Sequence, residues 1–291
     1  MLVMIVLSFL PSFPLMIEAL VDSVLLILLL SPMLYFSLFR PLTSDIVERK
    51  HAQRELAKQA EELKISNAEL EQFAYVASHD LQEPLRMVSS YLQLLEHRYS
   101  GKLDDDANDF IQFAIDGASR MQRLTSDLLT YSRVGTHQRE FGPVSCEDVL
   151  DQALSNLQVA VEEESAVITR APLPVVMADD GQLPQLFQNL IGNGIKFHGD
   201  EPPRIHVSAE QNENEWVFSV RDNGIGIDPE RREDIFQIFQ RLHTQEEYSG
   251  TGIGLATCKK IVEHHGGRIW VEAELNKGAG FYFTIPKTDL E

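Results

Sequence analysis

The chain has 291 residues, 44% apolar and 24% charged, which is enough for about two modest domains with real cores. Its formal charge of −19 argues against a nucleic-acid partner, because phosphate backbones attract positive surfaces. Cys146 and Cys258 stand far apart with no CxxC or Cys/His spacing, so neither a disulfide framework nor a zinc site is indicated.

The first 39 residues hold no Lys or Arg and only two acids, Glu18 and Asp22, and they contain the run SVLLILLLSPMLYFSLF from Ser23 to Phe39. Extended back to Leu15, that run is long enough to be expected to span a bilayer, with a buried core helix as the alternative. No positive charge precedes it, which excludes a typical signal peptide. Arg40, Arg49, Lys50, Arg54 and Lys58 follow at once, so a membrane helix within residues 1–40, anchored through 15–39, is expected to leave the rest of the chain on the cytoplasmic side of the inner (plasma) membrane. Whether there is one span or two stays open. No folded sensor is expected before residue 40, so the stimulus is not legible.

From Gln53 the pattern turns to heptads, with Leu56, Leu63, Leu70 and Ala77 seven apart and Gln53, Ala60, Asn67 and Ala74 in the partner seam. This predicts a coiled-coil helix over 41–72, with Asn67 fixing register; a single solvated helix is the alternative. The heptads continue into 73–135. There Leu81, Leu85, Val88, Leu92 and Leu95 form one stripe, SGKLDDDAND signals a turn, and Phe110, Ala114, Gly117, Met121, Leu124, Leu128 and Tyr131 form a second. A lone helical hairpin cannot enclose its own stripe, so two chains are expected to pair as a homodimeric four-helix bundle.

Beyond the linker RVGTHQREFGPV, residues 140–288 alternate helical and strand patterns. A helix is expected near Val149–Glu163 and another near Leu183–Phe197. RIHVSAE, EWVFSV, RIWVEAE and FYFTIP are expected strands, together making a two-layer α/β sandwich.

Four clusters could carry chemistry. In FAYVASHDLQEPLRMV, His79 and Asp80 fall on the solvent flank of the helix. Asp80 can accept a hydrogen bond from one ring nitrogen and leave the other free as a nucleophile, although an exposed helical histidine is usually inert. Pro84 frees the carbonyl of Asp80 at a cost of roughly 3 kcal/mol, which a purely structural helix would not be expected to keep.

In QLPQLFQNLIGNGIKF, Leu183, Phe187, Leu190, Gly194 and Phe197 are apolar while Asn189, Asn193 and Lys196 share a polar face. Solvated helices rarely choose Asn, and two amide oxygens beside an ammonium suit a hard cation and a phosphate. In EWVFSVRDNGIGID, Asp222 continues the inward parity of Trp216, Phe218 and Val220. No nearby basic residue pairs it, so an exocyclic amine of a base such as adenine could be its donor; Gly224 and Gly226 allow close approach, unless they merely form a turn. In YSGTGIGLATCKKIVEHHGG, Gly250, Gly252 and Gly254 precede a helix and make an anion cradle that is neither a Walker loop nor a Rossmann fingerprint.

Taken in order, SHDLQEPL, NLIGNGIKF, DNGIGI, IFQIF and GTGIGL resemble the H, N, first glycine, F and second glycine boxes of sensor histidine kinases of two-component systems, over roughly residues 41–287. The segment QRLHTQEEYSGTGIGL is similar to that of the phytochrome-like subfamily. The resemblance implies a phosphotransfer hairpin followed by a Bergerat-type ATP-binding fold. His79 becomes the phosphoacceptor and Asp80 its base. Asn193 becomes the Mg²⁺ ligand, Lys196 a phosphate contact, Phe197 an adenine neighbour and Asp222 the adenine-reading carboxylate. Gly252 and Gly254 meet the phosphates, and Asn189, Gly224, Gly226, Ile227, Phe239, Arg241, Gly250, Thr251, Ile253 and Leu255 complete the expected ATP site.

Implied too are a lid between Phe239 and Gly250, a swing of the ATP domain onto the bundle, and transfer to the receiver domain of a response regulator. Asn189 stands where ATP-hydrolysing relatives of the superfamily carry a water-activating Glu, which favours transfer over hydrolysis. Glu83 replaces the Thr or Asn tied to phosphatase activity, and Ala279 and Gly280 replace hydroxyl residues near adenine. An ATP-hydrolysing conformational switch and a catalytically silent dimeric scaffold are the rival readings, and cis or trans transfer stays open.

Overall fold

The computed structural model describes residues 15–135, 141–242, 248 and 250–287, and divides the chain into two compact units, one ending at Glu69 and one beginning at Leu70.

In the first unit, α1 (Leu15–Leu34) is followed by a π-helical turn, Tyr35–Phe39, and then by α2 (Arg40–Tyr99), which runs on past the unit boundary. The expected membrane helix is not borne out: no helix among the described residues is long and apolar enough to cross a membrane. Glu18 and Asp22 sit in the first turns of α1 and Pro32 near its end. Between Asp22 and Leu34 the uncharged regular helix reaches only about 18 Å at 1.5 Å per residue, against the roughly 30 Å of a hydrocarbon core. The expectation of a membrane partner through 15–39 falls with it, and the orientation argued from Arg40, Arg49 and Lys50 loses its premise. In α2, Leu56 and Leu63 are exposed, as a heptad seam is in one chain taken alone. The side chain of Leu70 lies outside the described residues.

The second unit starts with the helical hairpin. α2 continues through Pro84 without a break in the helix, and α3 spans Asp105–Arg133, opened by Asp104, whose carboxylate accepts the amide of Ala107 at 2.9 Å. Near the free end of the hairpin the Arg133 guanidinium lies 5.6 Å from the centroid of the Tyr75 ring.

The buried stripe differs from expectation. On α3 it comprises Ile115, Ala118, Thr125, Leu129 and Ser132, one residue later than the predicted set; on α2, Ser78 and Ser89 are buried and Leu85 and Leu92 half-buried. Leu81, Val88 and Leu95, with Phe110, Phe113 and Met121, stay exposed. The hairpin therefore carries two stripes: an inner seam containing hydroxyl residues, and an outer apolar face. The pattern 3-4-3-4 fits either stripe; the expected one is the face assigned to a second chain, and the inner seam of α3 lies one residue from it.

The remainder is a two-layer sandwich. Strands β1 (Gly142–Ser145) and β3 (Val175–Ala178) form a small antiparallel pair. β2 (Val167–Arg170), β4 (Arg204–Gln211), β5 (Glu215–Asp222), β6 (Ile269–Ala273) and β7 (Ala279–Pro286) form a sheet in the order β2-β4-β5-β7-β6, antiparallel except for β2 beside β4. Three short strands, β1 to β3, were not anticipated, since four residues are too few to display a period.

The expected helix near Val149–Glu163 is two helices, α4 (Cys146–Asn156), capped by Ser145, and α5 (Gln158–Glu163), broken at Leu157. α6 (Gln182–Lys196) and α7 (Gly254–His264) complete the helical layer. Leu183, Phe187, Leu190 and Gly194 of α6 are buried as their spacing predicts.

The core centres on three rings: Phe218 and Phe283 stack at 4.8 Å, and Phe187 meets Phe283 edge-on at 5.7 Å, all three fully buried. We predict that Phe283→Ala costs about 3–5 kcal/mol in urea unfolding, with a lower midpoint at unchanged slope, because both neighbouring rings would face the cavity left behind.

Candidate functional site

The carboxyl end of β5, the carboxyl half of α6 and the amino end of α7 converge on a cavity of about 320 Å³. Each element brings one of the sequence clusters. Asn189, Asn193 and Lys196 recur along one face of α6, followed by Phe197; Asp222 ends β5, with Gly226 and Ile227 just beyond. Arg241, Gly250, Thr251, Gly252, Gly254 and Leu255 come from the loop into α7 and its first turn.

Gly224, Phe239 and Ile253 are not among the lining residues. The amide of Gly224 donates to Asp222 at 2.8 Å, Phe239 is exposed and its amide donates to the carbonyl of Gly252 at 3.0 Å, and Ile253 is fully buried. These three support the wall from behind. His243–Glu247 and Ser249, within the expected lid, lie outside the described residues.

Asp222 behaves as its parity predicted. Its Oδ1 accepts the amides of Gly224 at 2.8 Å and Ala279 at 3.0 Å. No ion pair among the described residues involves it. Burial raises its pKa above the usual carboxylate range, while the two amides pull it back down. One oxygen is thus fixed by the backbone, leaving the other as an acceptor in the cavity. Ala279, which replaces an expected hydroxyl residue, takes part through its amide and lines the cavity itself.

Gly226 must be glycine: at φ 70° a Cβ there would fall 1.9 Å from the carbonyl oxygen of Glu274. Gly252, at φ 74°, is likewise pressed against the backbone of Phe239 and Gln240.

The cavity wall also carries positive groups. Lys196 Nζ sits 4.3 Å from the centroid of the Phe197 ring, and the Phe197 ring lies 4.9 Å from that of Tyr248. Burial, with Arg241 nearby, lowers the Lys196 ammonium from 10.5 to about 8. Arg241 donates to the carbonyl of Tyr248 at 2.7 Å. With the amino end of α7 beside them, these groups favour an anion.

Asn189 is tied down, donating from Nδ2 to the carbonyl of Gly254 at 3.3 Å, so it links α6 to the cradle. Asn193 makes no side-chain hydrogen bond among the described residues, which leaves its amide oxygen free for a ligand.

Sequence reasoning missed Ile225, Ile235, Gln240, Leu242, Tyr248 and Phe281 of the cavity wall, and also Arg123 and Asp127, which reach it from α3 of the hairpin. Ile225 and Ile235 stand inside the DNGIGI and IFQIF boxes but were given no role of their own there. The α3 pair could have been noticed as charges one turn apart on a helix otherwise read only for its apolar stripe.

His79 and Asp80 are not at the cavity. They lie on the hairpin, 69% and 73% exposed, with His79 Nδ1 3.3 Å from Asp80 Oδ1, the paired arrangement expected of them.

Residues 69–137 match the model of the His Kinase A (phospho-acceptor) domain, and residues 178–289 that of the histidine kinase-, DNA gyrase B-, and HSP90-like ATPases. Cyanobacterial phytochrome A of Nostoc sp. is 61% identical over 232 residues, covering 80% of this chain and 30% of that protein. Phytochrome-like protein Cph1 of Synechocystis sp. is 56% identical over 232 residues, covering 80% and 31%. The chain thus spans about a third of the length of these relatives. Among solved structures, full-length ShkA in complex with AMPPNP aligns with a TM-score of 0.59 at 29% identity, covering 75% of this chain and 46% of that one.

Lys196 gives a pH test. Between about pH 8 and 10.5 the folded chain holds fewer protons at this site than the unfolded one, so stability rises with pH across that window. Anion attraction has the opposite sign, present below about pH 8 and lost above it. Inorganic triphosphate titrated by calorimetry should bind roughly tenfold more weakly at pH 9.5 than at pH 7. Lys196→Met should bind weakly at both.

Proposed function

We propose, for a chain that belongs to the sensor histidine kinases through its paired phospho-acceptor and ATPase domains, that it phosphorylates its own His79 from ATP and passes the phosphoryl group to an aspartate of a response regulator. The observation that carries this reading is the set of charges brought into one cavity: a carboxylate with one spare oxygen, together with Lys196, Arg241 and a helix amino end. A purine with an exocyclic amine at Asp222 would direct its phosphates toward the cations. ATP fits that set of charges, and the AMPPNP held by ShkA is a nucleotide of the same kind.

His79 is the acceptor. With Nδ1 turned to Asp80, the Nε2 lone pair is free to form the N–P bond as the bond from the γ-phosphorus to the β-γ bridging oxygen breaks and ADP leaves. Asp80 stabilises the positive ring and takes its Nδ1 proton. Asn193, with its amide oxygen uncommitted, is the side chain that would hold Mg²⁺, the remaining ligands coming from phosphate oxygens and water; when bound, the cation neutralises charge on the phosphates. Asn189 cannot act as a base, and its amide is occupied by Gly254, which favours transfer to His79 over hydrolysis.

Because His79 does not line the cavity, transfer requires the ATPase domain to move toward the hairpin. The exposed face of Leu81, Val88, Phe110 and Phe113 favours a homodimeric four-helix bundle, since it would bury these side chains. The heptads ahead of it favour a coiled-coil continuation.

Incubated with γ-labelled ATP and Mg²⁺, the chain should take up label that is lost in acid and kept in base. His79→Gln should abolish the label while leaving nucleotide binding intact. Asp222→Asn should weaken ATP binding by roughly 30-fold or more, because an amide would face the adenine amine donor to donor. Hydrolysis persisting in His79→Gln would instead support an ATP-driven switch, and undetectable ATP binding would support a silent scaffold.

A further inference from the structure

The cavity is not closed by the sandwich alone. Arg123 and Asp127, one turn apart on α3 of the hairpin, form part of its wall. Asp127 Oδ2 accepts a hydrogen bond from Thr251 Oγ1 at 2.5 Å. Thr251 is the middle residue of the cradle between Gly250 and Gly252, and its Oγ1 also accepts the amide of Ile253 at 3.4 Å. One turn further along α3, Lys260 of α7 donates to the carbonyl of Tyr131 at 3.2 Å, with its ammonium 4.6 Å from the centroid of the Tyr131 ring. The hairpin and the ATPase domain are thus joined at the phosphate cradle itself, and the join there is a carboxylate.

A carboxylate is the wrong charge for that place if its purpose were to hold phosphate. Lys196, Arg241 and the amino end of α7 gather an anion, and Asp127 meets the same loop as an anion already present. A triphosphate seated in the cradle and the Asp127 carboxylate repel one another across a partly enclosed space, where charges are poorly screened. The two therefore compete for Thr251.

We infer that Asp127 is a latch displaced by the nucleotide: bound to Thr251 it holds the ATPase domain against α3, and the phosphates of ATP expel it, freeing that domain to travel to His79. The inference rests on the proposed ATP-dependent transfer and adds its trigger. Coupling of this kind is reciprocal, so docking through Asp127 weakens ATP binding by the same factor by which ATP weakens docking. The third phosphate adds the charge that most strongly opposes the carboxylate, so ATP releases the latch more effectively than ADP.

The test uses the full chain and calorimetric titration with AMPPNP and with ADP, each with and without Mg²⁺. Asp127→Asn keeps an acceptor for Thr251 and removes the charge; Asp127→Ala removes both. Both variants are expected to bind AMPPNP about threefold or more tightly than the unaltered chain, with ADP affinity moved less. Unchanged AMPPNP affinity in both variants would make the Thr251 contact merely structural and overturn the latch. Weaker binding seen only with Mg²⁺ would make Asp127 a metal ligand and overturn it equally. If the unaltered chain binds neither nucleotide, the ATP reading itself fails and the latch goes with it, an outcome distinct from binding that ignores Asp127.

Discussion

The arrangement depends on the carboxylate of Asp222, held by two backbone amides at the end of a sheet strand. Burying an acid without a cation is costly, and here the cost is only partly offset: Oδ1 takes both amides, and nothing among the described residues takes the rest. The carboxylate is fixed in direction by groups that cannot rotate away. Everything around it follows from the need to keep that orientation while leaving the adjoining space open. Phe218 and Val220 anchor the strand in the core, Gly226 turns the chain away without a side chain, and α6 carries its polar face past the same point.

Elsewhere in the cavity wall the same logic runs with the opposite sign. Lys196 is partly desolvated against Phe197 and near Arg241, so its charge is retained at a disadvantage. A site that holds both an underpaired acid and crowded cations is complementary to a ligand with a donor-bearing ring and an anionic tail. The fold spends stability on both, as functional sites commonly do.

Much of this was legible in the sequence because the informative residues break local rules. Asn on a helix face, an acid at an inward strand position and glycines before a helix are each unfavourable without a ligand, so they stood out, and the cavity assembles them as expected. The wall residues Ile225 and Phe281 stood inside DNGIGI and FYFTIP without a role of their own, and Leu242 obeys ordinary apolar patterning and gave no sign. Asp127 was hidden for a different reason: its significance lies in a contact 124 residues away, with Thr251. The N-terminal expectation failed because a count of apolar residues ignored where Glu18, Asp22 and Pro32 interrupt them. The inner seam of the hairpin went unread because it lies one residue from the expected stripe and shares its period.

That second face has a mechanical meaning. The contact inside the hairpin is made partly of serine and threonine, and the hydroxyls of Ser78 and Ser89 are buried without partners among the described residues. Such a seam buries little hydrocarbon and grips weakly, so it does little to resist a turn of one helix about its own axis. The larger apolar side chains point outward. Whatever covers them therefore sets the rotational angle of α2, and with it the direction in which the imidazole next to Ser78 is presented.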